Sequence, residues 1–175
     1  MQVSAILANA VLFQAAWFAG VLSAAQGRPW VGPVVALLVV AWHLARARRA
    51  WPEALLLAAA VTVGAAFESL LVAAGWLRFD AGALIAGTAP VWMVALWAVF
   101  ATTLNVSLRL LHRRPGLSAL LGAVSAPLAY YAGERLGAVE FIDLGTGLLA
   151  IGAGWFVLTP LLVLLAAKLD GYAPQ

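Results

Sequence analysis

Long apolar stretches separated by short polar breaks run the length of the chain, and their lengths set the elements they predict. A helix that crosses a bilayer needs ~20 mostly apolar residues. Six stretches approach that length, at roughly 3–25, 31–47, 53–75, 90–111, 117–134 and 146–167. The breaks carry helix breakers or charge: Gly27-Arg28-Pro29, Arg46 to Pro52, Gly75 to Asp80, His112 to Gly116 and Glu134 to Gly145. Pro33, Pro52 and Pro90 fall in predicted first turns, where a missing N–H costs little. A membrane β-barrel would alternate apolar and polar residues, and this chain does not. Residues 81–89 are apolar but too short to cross. Joined to the fourth stretch they would make a helix of ~45 Å at 1.5 Å per residue, too long for a ~30 Å core. The pattern therefore predicts an interfacial or re-entrant piece at 81–89, lying on the fourth span and ended by Pro90.

Composition narrows the class. The chain is 65% hydrophobic and 10% charged, against ~45–50% and ~25% in an ordinary soluble domain. Its mean hydropathy is +1.01. These values exclude a soluble enzyme, a disordered chain and a nucleic-acid-binding module. The calculated pI of about 10.0 does not restore nucleic acid as a partner. The net charge is only +3, and the arginines sit in short runs between apolar stretches, which is a topology signal. The first stretch ends in Ser23-Ala24-Ala25, which would suit a signal peptidase. No Lys or Arg precedes it and it is longer than a usual h-region, so an uncleaved first span is expected. The chain has no cysteine and its two histidines are His43 and His112. Thiolate chemistry, disulfides and a clustered metal site are not expected, nor is any other cofactor.

Charge gives an orientation. With six spans, Arg46, Arg48, Arg49, Arg109, Arg113, Arg114 and Lys168 fall on one side. The other side holds Arg28, Arg78 and Arg135 among Asp80, Glu134, Glu140 and Asp143. The positive-inside rule then puts both termini in the cytoplasm. The expected fold is all-α: one integral membrane domain over 1–175, a polytopic bundle of six transmembrane helices. Trp30, Trp51, Trp76 and Trp92 fall at predicted interfaces, as an aromatic belt does. Trp17, Trp97 and Trp155 lie deeper, as packing bulk or as the wall of an apolar pocket.

Polar residues inside such spans need a reason. Glu68 lies in the outer half of the third span. An acidic residue at a span centre costs ~2.5–3.5 kcal/mol, and the Leu, Val and Phe residues of this span return ~3–5 kcal/mol together. The span inserts, and Glu68 should face the bundle interior or water. It either bonds a neighbouring helix or serves a ligand, an ion or a proton. In the fourth span Thr102, Asn105 and Arg109 share one helical face at i, i+3 and i+7. That face is either interhelical glue or a polar wall on which Arg109 holds a phosphate or carboxylate. The first span offers Asn9, Gln14 and Trp17. The fifth offers Tyr130 and Tyr131 near the level of Glu68, and a Tyr hydroxyl there is placed to donate to that carboxylate. Gly147, Ala150 and Gly154 form a small face suited to close helix packing.

These residues also carry a family resemblance. Its elements are Asn9, Phe13, Gln14 and Trp17; Glu68 with Gly75; the run from Pro90 to Leu108; and the run from Ala119 to Gly133. Together they resemble the uncharacterised bacterial inner-membrane family called domain of unknown function 2878, over nearly the whole chain. The resemblance implies a multi-pass protein of the bacterial inner membrane with a role around membrane lipid. It assigns no chemistry to any motif.

Three functions fit these readings. The first is a protein that binds or moves a small apolar or amphiphilic, lipid-like molecule. Its cavity would be lined by Glu68, Gln14, Trp17, Trp97 and Tyr130, with Asn105 and Arg109 as further ligand-binding candidates. The second is a membrane-embedded enzyme or enzyme subunit in lipid modification; the different depths of Glu68 and the Asn105–Arg109 pair weigh against one catalytic cluster, and no catalytic residue is assigned. The third is an assembly partner of another membrane protein or of a second copy of itself.

Overall fold

The structure is a computed structural model that describes residues 3–173. Among these residues it contains six α-helices: α1 (Val3–Ala25), α2 (Val31–Arg46), α3 (Ala50–Ala73), α4 (Val91–Leu104), α5 (Pro115–Arg135) and α6 (Leu144–Lys168). Two two-residue strands, β1 (Leu77–Arg78) and β2 (Glu140–Phe141), pair antiparallel with Leu77 opposite Phe141. The chain is therefore all-α apart from this clip. α1, α3 and α6 are long and apolar enough to cross a membrane, and α2 and α4 are shorter apolar helices. These features are those of a membrane protein.

Local chemistry explains most helix ends. Pro115 opens α5 at its first position, where the missing N–H had no intrahelical partner. Asp143 caps α6, its Oδ1 accepting from the Thr146 N–H at 2.9 Å. Gly27, Gly75 and Gly137 follow α1, α3 and α5 with positive φ, the conformation that ends a helix most cheaply on glycine.

The connections gather at two ends of the bundle. At one end the α2–α3 turn, residues 105–114 and the segment after α6 meet: Arg49 donates to the Asp170 carbonyl, and Arg109 pairs with the Asp170 carboxylate. At the other end β1 pairs with β2, and Gly82 sits between Pro29 and Trp92, so close that a Cβ would lie 2.9 Å from the Pro29 ring. α5 packs along α6, α3 along α4, and α4 also meets α1 and α2. α5 barely touches α1 or α4.

Two expectations need correction. The fourth span does not run to residue 111. α4 has 14 residues, about 21 Å at 1.5 Å per residue. It ends because Asn9 of α1 donates to the Thr102 carbonyl at 3.2 Å. A continuing helix would have given that carbonyl to the Val106 N–H, which instead bonds Thr103 at 3.1 Å. The Asn9 Oδ1 also accepts from the Ser107 hydroxyl at 2.7 Å. Thr102, Asn105 and Arg109 thus share no helical face; Arg109 starts a short 3-10 turn, Arg109–Leu111. Residues 81–89, expected as an interfacial or re-entrant piece on the fourth span, form an irregular loop. The loop is pinned by Trp92 Nε1 donating to the Ala81 carbonyl and Ala89 N–H donating to the Ser69 hydroxyl, while Leu84 and Ile85 are exposed. The second correction is Trp92, which is no belt residue: it is 1% exposed, with its ring edge-on to Phe79 at 5.7 Å.

Candidate functional site

The weak packing of α5 against α1 and α4 leaves a lateral cleft between them, with a volume of about 790 Å³. Its wall on α1 includes Gln14, Trp17 and Phe18. Met93, Trp97 and Phe100 form its floor on α4, Ala126, Ala129 and Tyr130 its far wall on α5, and Trp155 of α6 closes the back. Pockets for drug-sized ligands occupy ~300–1,000 Å³ and are mostly apolar with a few fixed polar groups. The cleft has that make-up.

The floor is a stack of aromatic rings. Trp97 and Trp155 are stacked with centroids 4.6 Å apart, and Phe100 meets Trp155 edge-on at 5.1 Å. Gly64 of α3 makes the stack possible, because a Cβ there would overlap the Trp97 ring. The Trp155 Nε1 is buried and has no hydrogen-bond partner.

Glu68 stands behind this wall rather than in it. It is 0% exposed and does not line the cleft. Its Oε1 accepts from the Trp97 Nε1–H at 2.9 Å and from the Tyr130 hydroxyl. Both donors line the cleft. Glu68 therefore joins α3, α4 and α5 and fixes two side chains of the cleft wall. Its Oε2 is buried without a partner, a spare acceptor on an otherwise engaged carboxyl. Buried polar groups of this kind are normally paired; this oxygen and the Trp155 Nε1 are two buried polar atoms at the cleft without a partner.

Asn105 and Arg109 are elsewhere. They belong to a second buried cluster at the basic end, centred on Glu53, which the sequence reading missed. Glu53 is 0% exposed. Its Oε1 accepts from the Asn105 Nδ2 and from the Gly171 N–H, each at 2.7 Å. Its Oε2 lies 2.8 Å from the His43 Nε2. The Tyr172 hydroxyl donates to the His43 carbonyl at 2.6 Å. The segment after α6 is thus strapped onto the α2–α3 turn. A Cβ on Gly171 would sit 2.7 Å from the Glu53 Cγ, so only glycine fits there. Burial pushes the Tyr172 hydroxyl up from 10.0 to about 12; the Glu53 charge adds to this and Arg46 opposes it. An acid in a helix's first turn is an ordinary dipole partner, which is why Glu53 drew no notice in the sequence. The one usable signal was His43 facing Glu53 across a short turn.

Of the residues singled out beforehand, the structure gathers Gln14, Trp17, Trp97 and Tyr130 around the cleft, with Glu68 one layer behind. Asn105 and Arg109 lie outside that group. The small residues of α6 also differ in role: Gly147 and Gly154 accommodate the Phe141 and Phe67 rings rather than a helix backbone. Close α5–α6 contact is made by Gly122, whose Cβ would lie 2.5 Å from the Trp155 carbonyl, and by Gly152 against Ala123. Among the described residues no group of His, Asp and Glu has the arrangement of a metal site.

A family described as a protein of unknown function, DUF2878, matches residues 6–161. The match includes every residue of the cleft and Glu68, and it stops before Asp170 and Gly171 of the second cluster. No curated protein and no solved structure matches the chain.

Proposed function

The chain belongs to the DUF2878 family, and because that description assigns no activity we propose a function from the chain's own geometry. It is a multi-pass protein of a bacterial inner membrane, with six crossing helices and both termini cytoplasmic. It binds a small apolar or amphiphilic molecule that enters the α1–α5 cleft from the bilayer. The observation that carries this reading is the cleft itself: about 790 Å³, largely apolar, with a wall held in place by Glu68. In lipid no hydrophobic force drives two helices together, so an unfilled lateral gap between α1 and α5 is open to hydrocarbon chains.

The orientation rests on Arg46, Arg48, Arg49, Arg109, Arg113, Arg114 and Lys168, which sequence connects to the same end of the bundle. The absence of cysteine makes it testable by single-cysteine labelling. Arg113→Cys should react with an impermeant maleimide only from the cytoplasmic side, and Leu84→Cys only from the opposite side. Labelling of both from one side would refute the topology.

The ligand reading is tested by native mass spectrometry of the purified protein beside Ala129→Trp, which fills the cleft from the α5 wall. A reproducible amphiphile on the wild type, absent from the correctly folded variant, is the expected result. The same adducts on both proteins, or none on either, would refute it.

A further inference from the structure

The cleft has a charged neighbour. At its basic end the lining residues include Ser107 and Leu108. The next residues in sequence, Arg109 and Leu110, line a separate open basin of about 600 Å³ together with His112, Arg113 and Arg114. The apolar cleft and the basic basin are thus bordered by consecutive residues, Leu108 and Arg109, one Cα step of ~3.8 Å apart. Arg109 is committed to Asp170. Arg113 and Arg114 are exposed and make no ion pair among the described residues. The His112 Nε2 is turned to the Leu104 carbonyl at 3.0 Å, which leaves the two free arginines as the cations of the basin.

We propose that the occupant is a single-chain amphiphile with a phosphate headgroup, its chain in the α1–α5 cleft and its phosphate between Arg113 and Arg114. This proposal rests on the cleft being a ligand site and adds the headgroup. Length supports one chain. Ala10 to Val21 on α1, Trp92 to Thr103 on α4 and Ser125 to Leu136 on α5 all border the cleft. The runs are staggered, and with Ser107 and Leu108 at the basic end and Leu136 and Val139 at the other the cleft extends over most of the height of the bundle. A single extended chain fits along that groove, with its headgroup at the water interface on the arginine side. Charge supports phosphate. Guanidinium forks bind phosphate oxygens through paired N–H donors, and a neutral or cationic headgroup would leave both arginines unanswered. The cleft volume, about 790 Å³, falls within the ~300–1,000 Å³ range for one modest ligand.

The test uses the full-length protein in a neutral detergent and three probes: hexadecyl phosphate, hexadecanol and inorganic phosphate. The wild type should bind hexadecyl phosphate well above hexadecanol. Arg113→Gln with Arg114→Gln should weaken hexadecyl phosphate roughly 25-fold, at about fivefold per cation near an anionic headgroup, and leave hexadecanol unchanged. Ala129→Trp should lose both amphiphiles. Equal affinity for hexadecyl phosphate and hexadecanol in the wild type, with both lost in Ala129→Trp, would overturn the headgroup assignment and leave the cleft reading standing. No binding of either amphiphile to the wild type would overturn both. Inorganic phosphate binding as tightly as hexadecyl phosphate would make the basin a site for free phosphate and overturn the proposal. Both arginines are exposed, so loss of folding in the double variant is not expected, and an unchanged unfolding temperature checks this.

Discussion

Replacing Glu53 by leucine should loosen the basic end of the bundle more than any other single polar-to-apolar change. The Gly171 N–H and the His43 Nε2 have Glu53 as their hydrogen-bond partner, at 2.7 and 2.8 Å. The Asn105 amide keeps a second acceptor, the Leu169 carbonyl at 3.3 Å. In Glu53→Leu two buried groups therefore lose their partner outright, and a third is left with a weaker bond. Each orphaned buried group costs ~1–3 kcal/mol, so the variant should lose about 4 kcal/mol. That is a large part of the ~5–15 kcal/mol typical of folded domains. Glu53→Gln is the matched control. Its Oε1 still accepts from Asn105 and Gly171 and its amide nitrogen stands opposite the His43 ring, so no buried group loses its partner outright and the loss should be about 1–2 kcal/mol, from exchanging bonds to a carboxylate for bonds to an amide. The assay is denaturant unfolding in detergent followed by tryptophan fluorescence, with trypsin cleavage after Lys168 as a local readout. Glu53→Leu should expose that bond to cleavage under conditions where wild type and Glu53→Gln resist. If the two variants unfold within ~0.5 kcal/mol of each other, Glu53 is not the partner that satisfies these groups, and the account of the clamp fails.

Three further outcomes follow from the same geometry. Glu68→Gln keeps an acceptor for the Trp97 and Tyr130 donors, whereas Glu68→Leu strands both; the two should differ by about 2–6 kcal/mol at ~1–3 kcal/mol per orphaned donor, measured by the same unfolding assay. Gly64→Ala drives a methyl group into the Trp97 ring and should cost ~1–3 kcal/mol as overpacking, with a shifted tryptophan emission because Trp97 stacks on Trp155. For Tyr172, a folded value of about 12 against an ordinary 10.0 means the native state holds its proton more tightly. Its contribution is then complete below pH 10 and fades as pH climbs towards 12. Tyr172→Phe should remove that part of the alkaline loss, and an unchanged alkaline titration of C-terminal protease protection would contradict it.

How much of this was legible beforehand differs from element to element. The sequence placed α1 at 3–25, and the helix is Val3–Ala25; it placed the sixth stretch at 146–167, and α6 is Leu144–Lys168. Both are long apolar runs with breakers at their ends, and such signals are local. The fourth stretch was read as a helix to residue 111 because its composition stays apolar and helix-compatible throughout. Nothing near Asn105 in sequence says that α4 stops there. The stop comes from Asn9, 93 residues away, taking the Thr102 carbonyl. Glu68 was legible as a costly residue facing inward, and Tyr130 as a donor near its level. That Tyr130 and Trp97 would stand between Glu68 and the cleft was not, because it depends on the rotation of three helices about their axes.

The sequence by itself determined the class of protein, since apolar run length, the scarcity of charge and the arginine-bearing breaks are all read within a few residues of one another. It also marked Glu68 as a residue that needed a partner, because the cost of burying a carboxylate mid-span belongs to the residue type, while Glu53 at a helix start carried no such mark. Which partner each one found was decided only by the tertiary structure. The Gly171 N–H reaches Glu53 across 118 residues, and the Tyr130 hydroxyl reaches Glu68 across 62. A hydrogen bond depends on the distance and direction between two groups in space, and for partners this far apart along the chain those are fixed only when the helices pack.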